Sequence, residues 1–498
     1  MKIFSVDQVR EWDTATIYKE PITSFELMER AAVCCYKWLV HHSRKHHRFH
    51  IFCSRGNNGG DGLALARMLM QNFDSVTLYL PDSTKKGSKD FETNLESLQH
   101  FFKQIHFISS PADFPELQKN DFVIDALFGT GLNKPLEGII ASLAMHINQS
   151  PAQVIAIDMP SGLFADKSSK GNTIIRASHT LTFQNYKLAF LLAENESYVG
   201  KLHVLDIGLD KTFEQTTQTI YELTEMEIIK AIYKPRKRFS NKGNYGFASI
   251  IAGSHGMMGA AILAAKGCLR SGVGKLNCFI PGCGYEIMQA VVPESMCHVS
   301  GEEHIVSIHE PLKFDAIGIG PGLGTCPSHL QLLKDLFQSY RKPLVIDADA
   351  LNILSQNISL FDFIPPDSII TPHPKEFERL FGASENEFER LELALQKALE
   401  YQIYIILKGH HTFIATPAGK GYFNSTGNPG MATGGTGDVM TGIITGLLAQ
   451  GYHSLEAARL GVYLHGLAGD IAAQQHSAEA MIASDIAECL GAAYKQII

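Results

Sequence analysis

Two periods alternate along the chain. Residues 49–53 form a short apolar run that predicts a strand, and the next segment, 61–73, carries Leu63, Ala66, Met70 and Phe73 at helical spacing. Apolar runs at 75–80, 121–125 and 152–158 predict further strands. Upstream, Ser5 to Gln8 and Thr23 to Glu26 each read as a capping box that opens a helix. Strands rich in Ile and Val that alternate with helices predict a parallel sheet covered on both faces.

The alternation lapses between 210 and 240, where DKTFEQTTQT is polar and lacks an apolar period, which places a linker near 211–222. It resumes at 247–252, with strands expected near 274–279, 314–319, 343–347, 368–371 and 403–408. Three helical stretches close the chain, near 434–449, 454–475 and 483–497. No period of 20–50 residues repeats, which excludes a solenoid. The pattern predicts two consecutive α/β domains, residues 1–215 and 222–498.

Composition narrows this picture. At about 150 residues per domain, 498 residues allow two to four domains, and 45% apolar with 19% charged residues is ordinary for a packed globular chain. A net charge of −8 argues against a general nucleic-acid or membrane-surface binder. The basic run KPRKR at 234–238 reads as a solvated cluster at a boundary. No run of about 18 apolar residues and no apolar signal core is present, so a cytoplasmic location is expected. Nine cysteines without CxxC spacing read as reduced, buried thiols. Five histidines in 41–50 lack a fixed ligand geometry and read as a solvated basic connection rather than a metal site.

The 43 glycines change the picture more, because they cluster. GNNGGDG, residues 56–62, lies between a strand and a helix, where a parallel sheet presents ligands. A tight turn without a ligand needs one or two such residues, not seven in a row. Asp125 and Asp158 end two further strands on the same edge, ahead of FGTGL and MPSGL. There Asn58, Asp125 and Ser161 can converge as oxygen ligands for a cation, which leaves Asp158 to take or give a proton.

GNNGGDG, DALFGTGL and IDMPSGL, with TLTFQNYK and VLDIGL, resemble the epimerase domain of the bifunctional NAD(P)H-hydrate repair enzymes over roughly residues 1–210. The resemblance implies a Rossmann-like three-layer sandwich. It implies that Asn57, Asn58, Gly59, Gly60 and Asp61, with the loop Gly129, Thr130, Gly131, Leu132, Asn133, Lys134 and Pro135 and with Asp158, bind the hydrated dinucleotide. Asn58, Asp125 and Ser161 would hold potassium, and Asp158 would be the acid/base that interconverts the C6 epimers. Lys187 matches a lysine common in that family, without an assigned role.

In the second domain, NPGMATGGTGDVMTG (428–442) brings three glycines and Asp438 to a helix start, where amides and helix dipole favour an anion. An aspartate there is placed to accept a proton from a hydroxyl attacking a phosphoryl group. The loop resembles the ribokinase-like fold. KGNYG, GSHGMMGAA, GPGLG, DADALN, TPHPKEF and KGHHT together resemble the ADP- or ATP-dependent NAD(P)H-hydrate dehydratases over nearly all of 222–498. By resemblance, Ala260, Gly322, Gly324, His373 and Asp438 contact the hydrate. Lys408, Gly409, His410, His411, Thr412 and Gly437 contact the nucleotide, an ADP or ATP cosubstrate accompanied by magnesium. The implied partners are hydrated NADH and NADPH and, in a homo-oligomer, further copies of the chain. Asn241 stands where that family often has His, and His410 and His411 where it often has small residues. Two other readings compete: a small-molecule (vitamin) kinase fused to a ligand-binding domain, and an inactive N-terminal scaffold.

Overall fold

The structure, a computed structural model, describes residues 1–44, 46–82, 86–99, 105–308 and 313–498. It divides into two compact units, one of Lys2–Thr219 with Asn386–Phe388, the other of Met1, Ile220–Glu385 and Glu389–Ile498. The break at 219/220 falls inside the expected linker, but that stretch is structured. Asp210 accepts from the Phe213 amide at 2.9 Å and caps a helix at Lys211–Thr216, and Tyr221–Thr224 is a strand. One capped polar turn and one short strand need no apolar period, so the pattern could not show them.

In the first unit both capping boxes form, opening helices Val6–Lys19 and Ser24–His42. After the two-residue strand β1 (Lys2–Ile3) come β2 (Arg48–Cys53), β3 (Val76–Pro81), β4 (Ile105–Ile108), β5 (Asp121–Ala126), β6 (Gln153–Ile157), β7 (His179–Phe183) and β8 (Lys201–Leu205). From β2 onward they make a parallel sheet in the order β4-β3-β2-β5-β6-β7-β8. Along β5 the period of two divides the cores. Phe122, Ile124 and Ala126 pack with Leu63, Ala66 and Leu69, whereas Val123 packs with Leu143, Ala144 and Ile147 of the helix Gly138–Gln149. Helices therefore cover both faces, as a Rossmann-like three-layer sandwich requires. The order reverses between β2 and β5, and that switch point opens a crevice at the strands' carboxyl ends.

GNNGGDG is not the turn it resembles. Gly56 is the N-cap and Asn57–Leu69 is helix, so the helix starts earlier and ends earlier than 61–73. A Cβ at Gly59 would lie 1.7 Å from the Ser54 carbonyl oxygen, so the helix N-terminus rests directly on the chain leaving β2. The histidine-rich stretch is likewise only partly a solvated connection. His41 and His42 still belong to a helix, with His42 stacked 3.9 Å from Trp38, and His50 is buried in β2 beside Tyr79 and Asp121. Lys45 of that stretch lies outside the described residues.

The second unit contains β9 (Tyr221–Thr224), β10 (Phe247–Ile251), β11 (Lys275–Ile280), β12 (Ser295–Val299), β13 (Ala316–Ile319), β14 (Leu344–Ile346), β15 (Ile369–Ile370), β16 (Tyr404–Leu407), β17 (Phe413–Ala415) and β18 (Gly421–Asn424). Their order is β9-β18-β17-β16-β15-β14-β13-β10-β11-β12, parallel except that β17 is antiparallel to both neighbours. The three closing helices are Thr436–Ala449, Ser454–His476 and Ala483–Ile497. The first is buried from Val439 to Ala449 and packs on the helix Met258–Arg270. A Cβ at Gly442 would lie 1.9 Å from the Ala264 carbonyl oxygen. Small residues in the 253–274 segment thus admit another helix. All nine cysteines are free, and Cys35, Cys53, Cys268, Cys278 and Cys489 are buried. No helix among the described residues is long and apolar enough to cross a membrane.

Gly442→Ala is expected to destabilise the second unit by about 1–3 kcal/mol through overpacking against backbone. Thermal or denaturant unfolding of the full chain checks this, and an unchanged midpoint would contradict it.

Candidate active sites

In the first unit the switch-point crevice collects Asn58, Gly129, Thr130 and Asp158. A Cβ placed on Gly129 would lie 2.7 Å from Asp158 Oδ2 and 3.2 Å from Asn58 Oδ1, so both oxygens flank one point. Asp158 follows β6 with φ 63°, a left-handed backbone that a non-glycine residue adopts only when its surroundings enforce it. Its Oδ2 accepts from the Thr130 amide at 2.8 Å and from the Thr130 hydroxyl. Its Oδ1 lies 3.1 Å from Lys187 Nζ, a lysine only 2% exposed that also donates to Thr182 Oγ1 and the Phe183 carbonyl, each at 2.9 Å. Burial opposes ionisation of Asp158, but Lys187 and the Thr130 donors outweigh it and hold the carboxyl below its ordinary range.

Two neighbours move the other way. Asp61 is pushed well above the carboxylate range by lost solvation and then by the charges of Asp158 and Asp13. Asp13, on the first helix, is pushed up to about 6 by burial and by Asp158. Sequence reasoning left Lys187 without a role and passed over Asp13. A charge on an otherwise amphipathic helix reads as solvated, and only the fold turns it inward.

Asp125 and Ser161 meet beside this point. Ser161 donates to Asp125 through its hydroxyl at 2.6 Å and its amide at 2.8 Å, and the Leu127 amide donates at 3.2 Å. Asp125 is fully buried and is pushed up to about 6 by that burial, with hydrogen bonds but no cation to oppose it. Both polar side-chain atoms of Asn58 are buried without a partner. Among the described residues no three His, Cys, Asp or Glu side chains form a metal cluster. One carboxylate with neutral oxygens is a donor set suited to a hard cation of low charge. The outer part of the 129–135 loop behaves differently: Gly131, Asn133, Lys134 and Pro135 are exposed, and Leu132 is half-buried.

In the second unit the candidate edge is built around Asp347, a residue of the DADALN motif that sequence reasoning did not single out. It follows β14, is 1% exposed, and accepts from Lys408 Nζ at 2.9 Å and from Thr441 Oγ1 at 2.7 Å. Lys408 follows β16 and lies 3.7 Å from Glu376. Burial works against the lysine's charge, but Asp347 and Glu376 outweigh it and hold Lys408 above its usual range. A Cβ on Gly437 would lie 3.4 Å from Lys408 Nζ and 3.7 Å from Asp347 Oδ2, so lysine and GTGD turn face one another. Asp438, in the first turn of its helix, is pushed up to about 7 by burial and then by Asp347, with Lys408 pulling the other way.

The remaining expected residues are arranged around this centre. Gly322 approaches Ala260, a Cβ on the glycine lying 3.0 Å from that of the alanine. The Gly324 amide donates to Asp349 at 2.8 Å. His373 is the N-cap of the helix Pro374–Phe381: its Nδ1 accepts from the Lys375 and Glu376 amides at 3.1 and 3.2 Å, and Nε2 lies 3.4 Å from Glu376. The turn Lys408–Thr412 is closed by Thr412 Oγ1 donating to the Gly409 carbonyl at 3.0 Å, with His410 and His411 edge to face at 4.5 Å. His411 Nδ1 lies 3.1 Å from the Asn424 carbonyl oxygen. His465 was missed. Buried in an apolar helix and pushed down to about 4 by that burial, it donates from Nε2 to the Thr436 carbonyl at 2.9 Å and fixes the GTGD turn. Its only signal was a lone histidine among apolar residues.

The raised Asp438 has a consequence for stability. Its unfolded value is 3.8 and its folded value about 7, so the folded chain holds a proton that the unfolded chain releases. Stability is therefore lost as pH rises from about 4 to about 7. Asp438→Asn is expected to raise the unfolding temperature of the second unit at pH 8 and to change it little at pH 4. A variant less stable than the parent at pH 8 would contradict this.

A family model described as the N-terminus of YjeF-related proteins matches residues 24–189, and one described as NAD(P)H-hydrate dehydratase matches 248–491. The chain is 35% identical over 508 residues to the bifunctional NAD(P)H-hydrate repair enzyme Nnr of Moorella thermoacetica, covering 98% of this chain and 96% of that one. It is 33% identical over 492 residues to the Escherichia coli protein of the same name, covering 97% and 92%. Among solved structures it is similar to a ribokinase-like superfamily protein of Enterococcus faecalis, with 30% identity, a TM-score of 0.50, and coverage of 56% of this chain and 98% of that one.

Proposed function

The chain belongs to the bifunctional NAD(P)H-hydrate repair enzymes, and from that premise we propose which of its residues perform the two reactions. The first unit epimerises the R and S hydrates of NADH and NADPH, and the second dehydrates the S form. Such a fusion is useful because a stereospecific dehydratase rescues only one epimer. A kinase fused to a binding domain and an inactive scaffold both give way to this assignment.

For epimerisation the observation that carries the reading is the buried Asp158–Lys187 pair at 3.1 Å, which holds Asp158 below the ordinary carboxylate range while burial and the charge of Asp158 push Asp61 above it. Two titratable groups pushed apart are an acid/base pair. C6 of the hydrate bears a hydroxyl and the ring nitrogen. Asp158 takes the hydroxyl proton, the C6–N1 bond opens to an aldehyde, and N1 takes a proton from Asp61. Rotation and reclosure return both protons and give the other epimer. Asn57 to Asp61 and the loop Gly129 to Pro135 hold the dinucleotide. Asn58, Asp125 and Ser161 fit potassium, because Asp125 is a fully buried carboxyl hydrogen-bonded to Ser161 and both polar side-chain atoms of Asn58 are buried without a partner. A bound potassium ion supplies the positive charge that this corner lacks.

For dehydration, ADP or ATP with magnesium occupies the edge formed by Lys408 to Thr412 and Gly437. The hydrate lies against Ala260, Gly322, Gly324 and His373. Asp438 accepts the C6 hydroxyl proton as that oxygen takes the terminal phosphoryl group, while the GTGD amides and Lys408 meet the developing charge. The phosphate then leaves, driven by the N1 lone pair, and loss of the C5 proton restores the dihydronicotinamide. Asp347 and Thr441 position Lys408 for this.

Hydrated NADH with ADP or ATP and magnesium is expected to regain nicotinamide absorbance, and no recovery with either nucleotide would overturn the reading. Asp158→Ala abolishes epimer interconversion while one epimer is still dehydrated, and Asp438→Ala stops dehydration alone. Equal loss of both activities in either variant would contradict separate sites. The dehydration rate falls below an apparent pKa near 7, where Asp438 protonates. Lys408→Ala, which removes the cation opposing that shift, moves this limb to higher pH, and an unmoved limb would exclude Asp438 as its origin.

A further inference from the structure

We propose that a basic cleft at the amino-terminal edge of the second sheet binds the diphosphate group of a small molecule. The cleft has a volume of about 550 Å³ and is walled by Lys234, Arg236, Lys237 and Arg270 together with tyrosines that include Tyr245 and Tyr452. Small-molecule sites span roughly 300–1,000 Å³. The cleft is not the reaction site. Tyr245 and Gly272 stand just before β10 and β11 begin, whereas Asp347 and Lys408 stand just after β14 and β16 end.

Of the four cations, only Lys234 has a carboxylate partner among the described residues. Arg236 donates to the Gly272 carbonyl, and its guanidinium carbon lies 4.0 Å from the centre of the Tyr245 ring. A carbonyl and an aromatic face hold a guanidinium in place and leave its charge intact. Lys234 lies 4.5 Å from the centre of the Tyr452 ring and pairs with Glu456 at 2.8 Å. Among the described residues, Arg236, Lys237 and Arg270 have no carboxylate partner. Two of the cations also meet carbonyls at the C-terminal ends of the helices that close the cleft, Arg236 at Gly272 and Lys234 at Gly451 at 3.3 Å, whereas the Ser271 carbonyl accepts from Tyr494 Oη at 2.8 Å and Gln450 Nε2 at 3.1 Å. In a chain of net charge −8, three cations on one cleft, none within 4 Å of a carboxylate among the described residues although Ile498 also lines it, form an anion site, not a generally basic surface. Arginine presents its donors as a fork that matches phosphate oxygens. The tyrosines offer apolar area to an organic moiety, as in a nucleoside diphosphate.

Calorimetric titration of the full chain with inorganic pyrophosphate and, separately, with uridine diphosphate tests this. The comparison uses Lys237→Gln/Arg270→Gln, whose exposed side chains support no packing, Arg236→Gln, and Lys408→Ala as the control for the reaction site. Binding weakened at least tenfold in the cleft variants and retained in Lys408→Ala is the expected result. Uridine diphosphate binding more tightly than pyrophosphate identifies an organic diphosphate as the ligand, and equal binding identifies free diphosphate. Unchanged binding in Lys237→Gln/Arg270→Gln, or binding that only Lys408→Ala removes, overturns the proposal, as does no binding of either probe to the parent chain.

Discussion

Removing a carboxylate from water at the end of a parallel strand costs free energy unless a cation or several donors meet it, and both sites are organised by that constraint. In each unit one aspartate after a strand is matched by one lysine: Asp158 by Lys187, Asp347 by Lys408. Each pair is completed by a threonine, Thr130 in one case and Thr441 in the other. Once the lysine is committed, the next carboxylate has no cation of its own and is driven toward its neutral form, Asp61 in the first unit and Asp438 in the second. On both sheets a carboxylate paired with a lysine and a threonine thus stands near a carboxyl raised above its ordinary range.

Glycine has two separate uses in this chain. At Gly59 and Gly442 the missing Cβ lets a helix touch backbone, in one case the chain leaving a strand and in the other a second helix. At Gly409 and Gly434 a Cβ would meet nothing within 4 Å, so these positions leave backbone surface open beside Lys408 and the GTGD turn. The uses are linked in the GTGD helix. Its close packing on Met258–Arg270 holds in place the first turn that presents Asp438, and His465 ties that turn to the next helix.

Much of the fold was legible along the chain. Long apolar strands such as β2, β5 and β10, the two capping boxes and the three closing helices announce themselves through local periodicity and local side-chain chemistry. Short elements toward one side of the second sheet did not. β9, β17 and β18 have three or four residues each and are stabilised by their neighbours in the sheet rather than by their own pattern. The start of the Asn57 helix was obscured because asparagine and glycine favour turns locally, and only contact with β2 overrides that preference. The candidate sites were legible where aspartate stands beside a glycine-rich segment, as at Asp125 near the end of β5, Asp158 just after β6 and Asp438 in the first turn of its helix.

By itself the sequence determined that two parallel α/β units follow one another and that their strand ends carry oxygen-rich, glycine-rich loops, because periodicity and turn chemistry act within a few residues. It also carried the motifs that mark both halves of the repair family. The protonation states were decided only by the tertiary structure. Whether Asp13, Asp61 and Asp438 are solvated or driven upward depends on how much water the fold excludes and on which lysine stands nearby. Lys187 and Asp158 lie 29 positions apart and Lys408 and Asp347 61 apart, and only the folding of the sheets brings each pair within about 3 Å.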